Sequence, residues 1–254
     1  MRMAEQITGR SNPLMTHIRK LVSSRAYRRE QGEYVGDGVK LLEEAVKWNV
    51  PLSAVVYTKG TALPPIDGAV RVVEVPEDLM RSISPMETPQ GALFVARMGG
   101  NALPETLTGR RYLAMEGVQD PGNVGTILRT ADAYEADGVI LLEGCADLYN
   151  PKTVRSTMGA LFRVNVWSTT LDELRPVLRR SGLPLLGAAL REDTVDAREA
   201  DLRHAVILIG SEGKGLSEAA LDACDKTIRI PMSERCESLN AAIAAATLLW
   251  EGYR

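Results

Sequence analysis

From Arg111 onward the chain alternates short apolar runs with stretches of helical periodicity, and this alternation constrains the fold more than any other feature. The strand-like runs are Arg111–Met115, Gly138–Leu142, Val164–Val166, Leu185–Ala188, Ala205–Ile209 and Thr227–Ile230. Strand then helix, repeated, is the pattern of a parallel sheet covered by helices on both faces. In open sheets of this kind ligands sit beyond the carboxyl ends of the strands. The loops after Met115, Ile209 and Ile230 are therefore where chemistry is expected, and all three are unusual in sequence.

The part before Arg111 reads as a smaller α/β unit. Pro13–Ser24 carries Leu14, Ile18, Leu21 and Val22 at helical spacing, and Gly38–Trp48 carries Val39, Leu41, Leu42, Ala45 and Val46 in the same way. Between them Arg25–Gly36 is polar and charged. Ser53–Tyr57, Ala69–Val75 and Gly91–Ala96 read as strands and Pro76–Ser84 as a short helix, with no evident catalytic cluster. Arg97–Gly109 has the glycines, the Pro104 and the polarity of a linker. The expected domains are residues 1–105 and 106–254.

A length of 254 residues, 45% hydrophobic and 25% charged, suits one large or two modest soluble domains. No apolar run reaches the length of a membrane span, and the opening MRMAEQITGRSN lacks the apolar core of a secretory signal. No membrane partner is expected. Cys145, Cys224 and Cys236 are odd in number and widely spaced, and His17 and His204 are the only histidines. A metal centre, a disulfide framework or a His-based triad has little to work with, and a reducing cytoplasm fits. The net charge of −3 argues against a uniformly basic nucleic-acid coat. Arg19, Lys20, Arg25, Arg28 and Arg29 nevertheless crowd one segment, which reads either as a solvated helix face or as a phosphate-attracting one.

The first loop, EGVQDPGNVGTILRTADA from Glu116 to Ala133, turns at Pro121 and Gly122 and places Asn123 to cap a helix through Ile127, Leu128 and Ala131. Free amides at that helix start would receive an anion. Arg129 follows six residues after Asn123, and a structural arginine paired with Glu116 or Asp132 is the plain alternative to a functional one. The second loop, GSEGKGLS from Gly210 to Ser217, lets a ligand approach its backbone closely. It does not match the phosphate-binding pattern G-x-x-x-x-G-K-[S/T], and Glu212 would repel a phosphate, so a nucleoside or a cationic ligand suits it better. The third lies in Lys226–Tyr253, where a strand ends at Pro231, a polar loop follows, and a helix is expected near Ser238 as N-cap. Ala241, Ala242, Ala244, Ala245 and Ala246 would let one helix face approach another backbone. Helix propensity alone accounts for the alanines, but not for Asn240.

Taken together, Asn123, Gly125 and Arg129 (NxGxxxR), then GSEGKGLS, then IPM at Ile230–Met232 with ESLN at 237–240, resemble in order and spacing the three signature motifs of one family. It is the SpoU (TrmH-like) RNA ribose 2′-O-methyltransferase family of the SPOUT superfamily. Asn150–Phe162 (NPKTVRSTMGALF) also looks like a segment found between the first two motifs, and the likeness runs from about Arg110 onward. The N-terminal part, through NPLMTHIRKLVSSRAYRREQGEYVGDGVKLLEEA, more loosely resembles the L30e-like RNA-binding domain that many members carry.

The resemblance implies an α/β fold: a C-terminal parallel-sheet SPOUT domain closed by a trefoil knot, preceded by a smaller α/β L30e-like domain that binds the RNA substrate. It further implies a homodimer and S-adenosylmethionine as methyl donor, with Gly210, Ile230, Met232 and Leu239 lining the donor site. Arg129 would be the central catalytic residue, and Asn123, Glu212, Ser238 and Asn240 would support it. Arg155, Arg25, Arg28 and Arg29 would contact RNA phosphate. The chemistry matches these residue types: a sulfonium methyl is already activated, so no metal is needed. The 2′-hydroxyl is a poor nucleophile that gains from a base and from alignment. A guanidinium is normally fixed in its protonated form, so holding the phosphate suits Arg129 better than acting as base. One departure stands out: Ser233, Glu234, Arg235 and Cys236 occupy a turn where the family often has glycine.

The expected activity is thus RNA ribose 2′-O-methylation in the cytoplasm, on ribosomal RNA because of the extra N-terminal domain. Transfer RNA is the alternative substrate. A catalytically silent RNA-binding or ribosome-assembly protein is the alternative of another class, and a nucleotide-dependent enzyme using GSEGKG as a phosphate cradle is a third.

Overall fold

The computed structural model describes residues 5–233, 235–236 and 238–254. Glu234 and Glu237, which belong to the unusual turn and to the ESLN motif, lie outside the described residues. The chain forms two compact units. One runs to Gly99 and also includes Asp147–Phe162; the other comprises Gly100–Ala146 and Arg163–Arg254. Residues 147–162 therefore pack with the first unit, an arrangement that a single cut between 105 and 106 does not anticipate.

The first unit opens with β1 (Glu5–Gln6), α1 (Pro13–Ser23), α2 (Arg25–Gln31), β2 (Glu33–Asp37), α3 (Val39–Lys47), β3 (Leu52–Thr58), β4 (Arg71–Val75), α4 (Glu77–Ile83) and β5 (Ala92–Arg97). Its mixed sheet has the order β1-β4-β3-β5-β2. The charged stretch Arg25–Gly36 forms a short helix and a strand. Ser24 caps α2 by accepting the Tyr27 amide at 3.2 Å, and Gly32 ends it at φ 64°. Tyr34 and Val35, on opposite faces of β2, are both buried, and the strand pairs antiparallel with β5. Met15, Ile18 and Leu21 of α1 close the core with Leu79, Met80 and Ile83 of α4.

The second unit starts with β6 (Arg111–Met115), α5 (Pro121–Ala133) and β7 (Gly138–Leu141). Residues 147–162 follow, with α6 (Pro151–Ser156) packed on β2 of the first unit. The second unit resumes with β8 (Val166–Ser168), α7 (Leu171–Ser181), β9 (Leu185–Ala188), β10 (Val195–Asp196), β11 (Ala205–Ile209), α8 (Glu218–Ala223), β12 (Lys226–Arg229) and α9 (Ala241–Tyr253). Its sheet has the order β10-β12-β9-β11-β6-β7-β8, and every neighbouring pair is parallel. All five residues of β11 and all four of β7 are buried, as in strands covered on both faces. Ile209 lies level with Met115, so the loops after β6 and β11 leave the sheet side by side.

Helix α9 starts at Ala241, not near Ser238. Asn240 is its N-cap, with Oδ1 accepting the amides of Ala242 at 2.9 Å and Ile243 at 3.3 Å. This explains the amide that the alanine run left unaccounted for. Ala241, Ala242 and Ala245 are buried where α9 packs on α5, whose Val124, Gly125 and Leu128 are buried in turn. Arg111, at the start of β6, closes the far ends of both helices. Its guanidinium donates to the Gly252 carbonyl at 2.6 Å, to the Tyr134 carbonyl, and to the Glu135 carbonyl at 3.2 Å. A cation there is also favoured by the two helix dipoles. Among the described residues no helix is long and apolar enough to cross a membrane.

Candidate active site

The start of α5 is built differently from the sequence expectation. Asp120, not Asn123, is the N-cap: its Oδ1 accepts the Asn123 amide at 2.9 Å, and Pro121 fills the first helical position. The Asp120 carboxylate thus occupies an amide that would otherwise receive an anion. It also leaves the Asn123 side chain free of capping duty.

That side chain joins the three strand-end loops. Asn240 must turn its Oδ1 toward the α9 amides, so its Nδ2 faces outward and donates to Asn123 Oδ1 at 3.3 Å. Asn123 Nδ2 in turn donates to a Glu212 carboxylate oxygen. The orientation of each amide is fixed by its neighbour, and the chain Asn240–Asn123–Glu212 ends on an acceptor. Asn240 caps α9 after β12, Asn123 lies in the first turn of α5 after β6, and Glu212 lies in the loop after β11.

The loop from Gly210 to Ser217 folds back on itself. Ser211 and Gly215 exchange backbone hydrogen bonds at 3.1 and 2.9 Å, and the Lys214 amide donates to Ser211 Oγ at 3.2 Å. A Cβ on Gly210 would lie 2.3 Å from the Gly215 carbonyl carbon, so only glycine fits there. At the far end Glu116 accepts both the Ser217 amide, at 2.8 Å, and the Ser217 hydroxyl, at 2.7 Å.

Beside this loop lies a cleft of about 400 Å³, lined among others by Gly210, Glu212, Leu216, Ile230, Met232, Ser238, Leu239 and Ala241. The size falls within the roughly 300–1,000 Å³ common for small-molecule sites. Aliphatic walls suit a flat base, and the lining carries charges of both signs, Glu212 and Glu218 beside Lys214 and Arg229, which suits a ligand that is itself both cationic and anionic. S-adenosylmethionine, an adenosine bearing a positively charged sulfur, fits that donor set. The wall formed by Ala188 at the end of β9 and by Ala189 and Leu190 after it has no counterpart among the expected site residues. It follows from strand order, because β9 lies between β11 and β12.

Arg129 is exposed on α5 and outside the Asn240–Asn123–Glu212 chain. Six residues of helix put it about 9 Å along the axis from Asn123 and about a third of a turn around it. The structural alternative for Arg129 fails: Asp132 is held by Arg163 at 2.7 and 2.9 Å, and Glu116 by Ser217. The Arg129 side chain makes no hydrogen bond or ion pair among the described residues.

The basic residues of the first unit divide. Arg25 and Arg29 are exposed, and Arg155 is exposed with Nη1 2.5 Å from Met86 Sδ. Arg28 is not available to RNA. It is 3% exposed, donates through Nε and Nη2 to Asp147 at 3.1 and 2.5 Å, and through Nη1 to the carbonyls of Leu21 and Val22. Its expected role as a phosphate contact is corrected on that ground. Burial pushes the Cys145 and Cys224 thiols up to about 11, which leaves both as inert thiols.

The profile of the SpoU rRNA methylase family matches residues 110–250, more than half of the chain. The chain belongs to the SpoU rRNA methylase family. Residues 12–93 match the MRM3-like substrate binding domain. Among relatives of this SpoU member, the Bacillus subtilis 23S rRNA (guanosine(2553)-2′-O)-methyltransferase RlmP is 31% identical, covering 97% of this chain and 98% of that protein. The Streptomyces viridochromogenes 23S rRNA (uridine(2479)-2′-O)-methyltransferase is 32% identical, covering 99% of this chain and 92% of that protein. The AdoMet-bound rRNA methyltransferase from Sinorhizobium meliloti superposes with a TM-score of 0.86 at 29% identity, covering 98% of this chain and 97% of that one. The SpoU fold, with its large parallel sheet and smaller N-terminal unit, is common to both.

Proposed function

We propose that this SpoU chain transfers a methyl group from S-adenosylmethionine to a ribose 2′-hydroxyl of ribosomal RNA. The observation that carries the reading is the chain Asn240–Asn123–Glu212, which joins all three motif loops beside the cleft. Relatives whose names state 2′-O-methylation of 23S rRNA, and neighbours solved with AdoMet, support it. When bound, the donor supplies a methyl already activated on a cationic sulfur. Gly210, Ile230, Met232 and Leu239 line its site, and Glu212 places negative charge on the lining. Asn123, Ser238 and Asn240 hold the loop geometry that aligns the ribose with the methyl. Arg129 holds the phosphate beside the target ribose, a task for a permanently protonated guanidinium.

In this reading residues 1–105, joined by 147–162, form the RNA substrate-binding domain, with Arg25, Arg29 and Arg155 on phosphate, and the rest of 106–254 forms the knotted methyltransferase domain. The exposed Ile243, Trp250 and Tyr253 on α9 support assembly as a homodimer. The setting is the cytoplasm. The test offers labelled S-adenosylmethionine with unmodified ribosomal RNA and transfer RNA in separate reactions. Label that resists alkaline cleavage at one ribosomal site is the expected result. Label in transfer RNA alone overturns the substrate, and donor binding without transfer to either favours an RNA-binding protein that keeps the fold.

A further inference from the structure

We infer that Glu116 is a positioning residue of the donor site: its carboxylate latches the far end of the Gly210–Ser217 loop in the form that walls the cleft. The inference rests on the reading of that cleft as the donor site. The loop contributes Gly210, Ser211, Glu212, Lys214, Gly215 and Leu216 to the lining, so its shape sets the shape of the cleft. Its start is fixed by β11, which is fully buried. Its tip reaches Asn123 through Glu212. Its exit is held by Glu116 at Ser217.

The latch has the rigidity such a role requires. The Glu116 amide donates to the Ile209 carbonyl at 2.9 Å, which extends the β6–β11 pairing one step past Met115. The carboxylate therefore springs from the end of the sheet itself. Its two oxygens take both donors of one residue, amide and hydroxyl, which fixes direction as well as distance. The Ser217 hydroxyl, while donating to Glu116, also accepts the Ala220 amide at 3.1 Å and so starts α8. Glutamate meets the two donors of Ser217 with two separate oxygens, whereas glutamine would turn its NH2 toward one of them.

The latch and the Asn240–Asn123–Glu212 chain hold the same loop at different points and have separable effects. Loosening the latch loosens the donor-site wall; breaking the chain disturbs the alignment of the ribose. The test compares wild type with Glu116→Gln, Glu116→Ala and Ser217→Ala in the full-length protein. Calorimetric titration measures S-adenosylmethionine binding, hydrogen exchange follows the peptide covering 210–217 without ligand, and kinetics on unmodified ribosomal RNA separate KM from kcat. In Glu116→Ala donor affinity should fall about tenfold or more, with KM for the donor rising in step and kcat at saturating donor near wild type. Exchange should quicken in 210–217 and not elsewhere. Glu116→Gln and Ser217→Ala, each keeping one of the two contacts, should fall between. Donor affinity unchanged in Glu116→Ala beside a binding wild type overturns the latch alone. So does a loss of kcat at constant KM, or exchange that quickens across both units. A wild type that binds no S-adenosylmethionine overturns instead the donor-site reading on which the latch depends.

Discussion

Arg28 of the first unit and Arg129 of the other are hard to tell apart in sequence, each a cation near other charges, yet the structure treats them oppositely. Arg28 is buried, and every guanidinium nitrogen is spent on Asp147 or on the carbonyls of Leu21 and Val22. Arg129 is exposed, and the acids that would have made it structural are held by Arg163 and Ser217. A guanidinium already satisfied by the protein stabilises the fold; one left unsatisfied is available to a phosphate. The separation lies in hydrogen-bond accounting rather than in charge.

Substitutions can break this contrast. Arg129→Ala should lower turnover by at least about 10²-fold, with donor binding by calorimetry and the melting temperature unchanged; equal loss of donor binding would refute the catalytic role. Arg28→Ala should do the reverse, costing about 1–3 kcal/mol of stability by leaving the Leu21 and Val22 carbonyls without their donor and Asp147 with only the more distant Arg25, at 3.9 Å. Urea denaturation of the full chain measures it, and a stable variant with weakened RNA binding would reverse the assignment. Asn240→Ala should cost about 1 kcal/mol through loss of the α9 cap, together with turnover. Asn240→Asp, which keeps the cap but sets a carboxylate against Asn123 Oδ1, should melt like wild type and still lose turnover. Arg25→Ala and Arg29→Ala should have the smallest effect, each lowering the salt dependence of RNA binding by roughly one unit of slope. An unchanged slope in both would remove this face from the RNA contact.

The parallel sheet was legible because its strands are short apolar runs: Arg111–Met115, Leu185–Ala188 and Ala205–Ile209 have the same bounds in sequence and structure. Helix starts were less so. Asp120 and Asn123, or Ser238 and Asn240, are all competent caps within a few residues of one another, and only the packed helix decides which of them serves. The stretch Arg25–Gly36 was obscured because four of the seven residues of its helix are charged and its one buried side chain is an arginine. Arg28 could not be recognised as structural, since its partner Asp147 is 119 residues away. The cleft wall after β9 has no motif at all; Ala189 and Leu190 reach the cleft only through strand order.

Asp147–Phe162 gives the first unit α6 and the carboxylate that satisfies Arg28, although the chain reaches these residues only after β6, α5 and β7. During synthesis, at roughly 5–20 residues per second, several seconds separate the emergence of Gly99 from that of Phe162. Until then the first unit has a buried guanidinium with half its ligands missing. It is the unit that begins first and is completed late, so a ribosome paused between the two points would carry it unfinished, with the first strands of the other sheet already made.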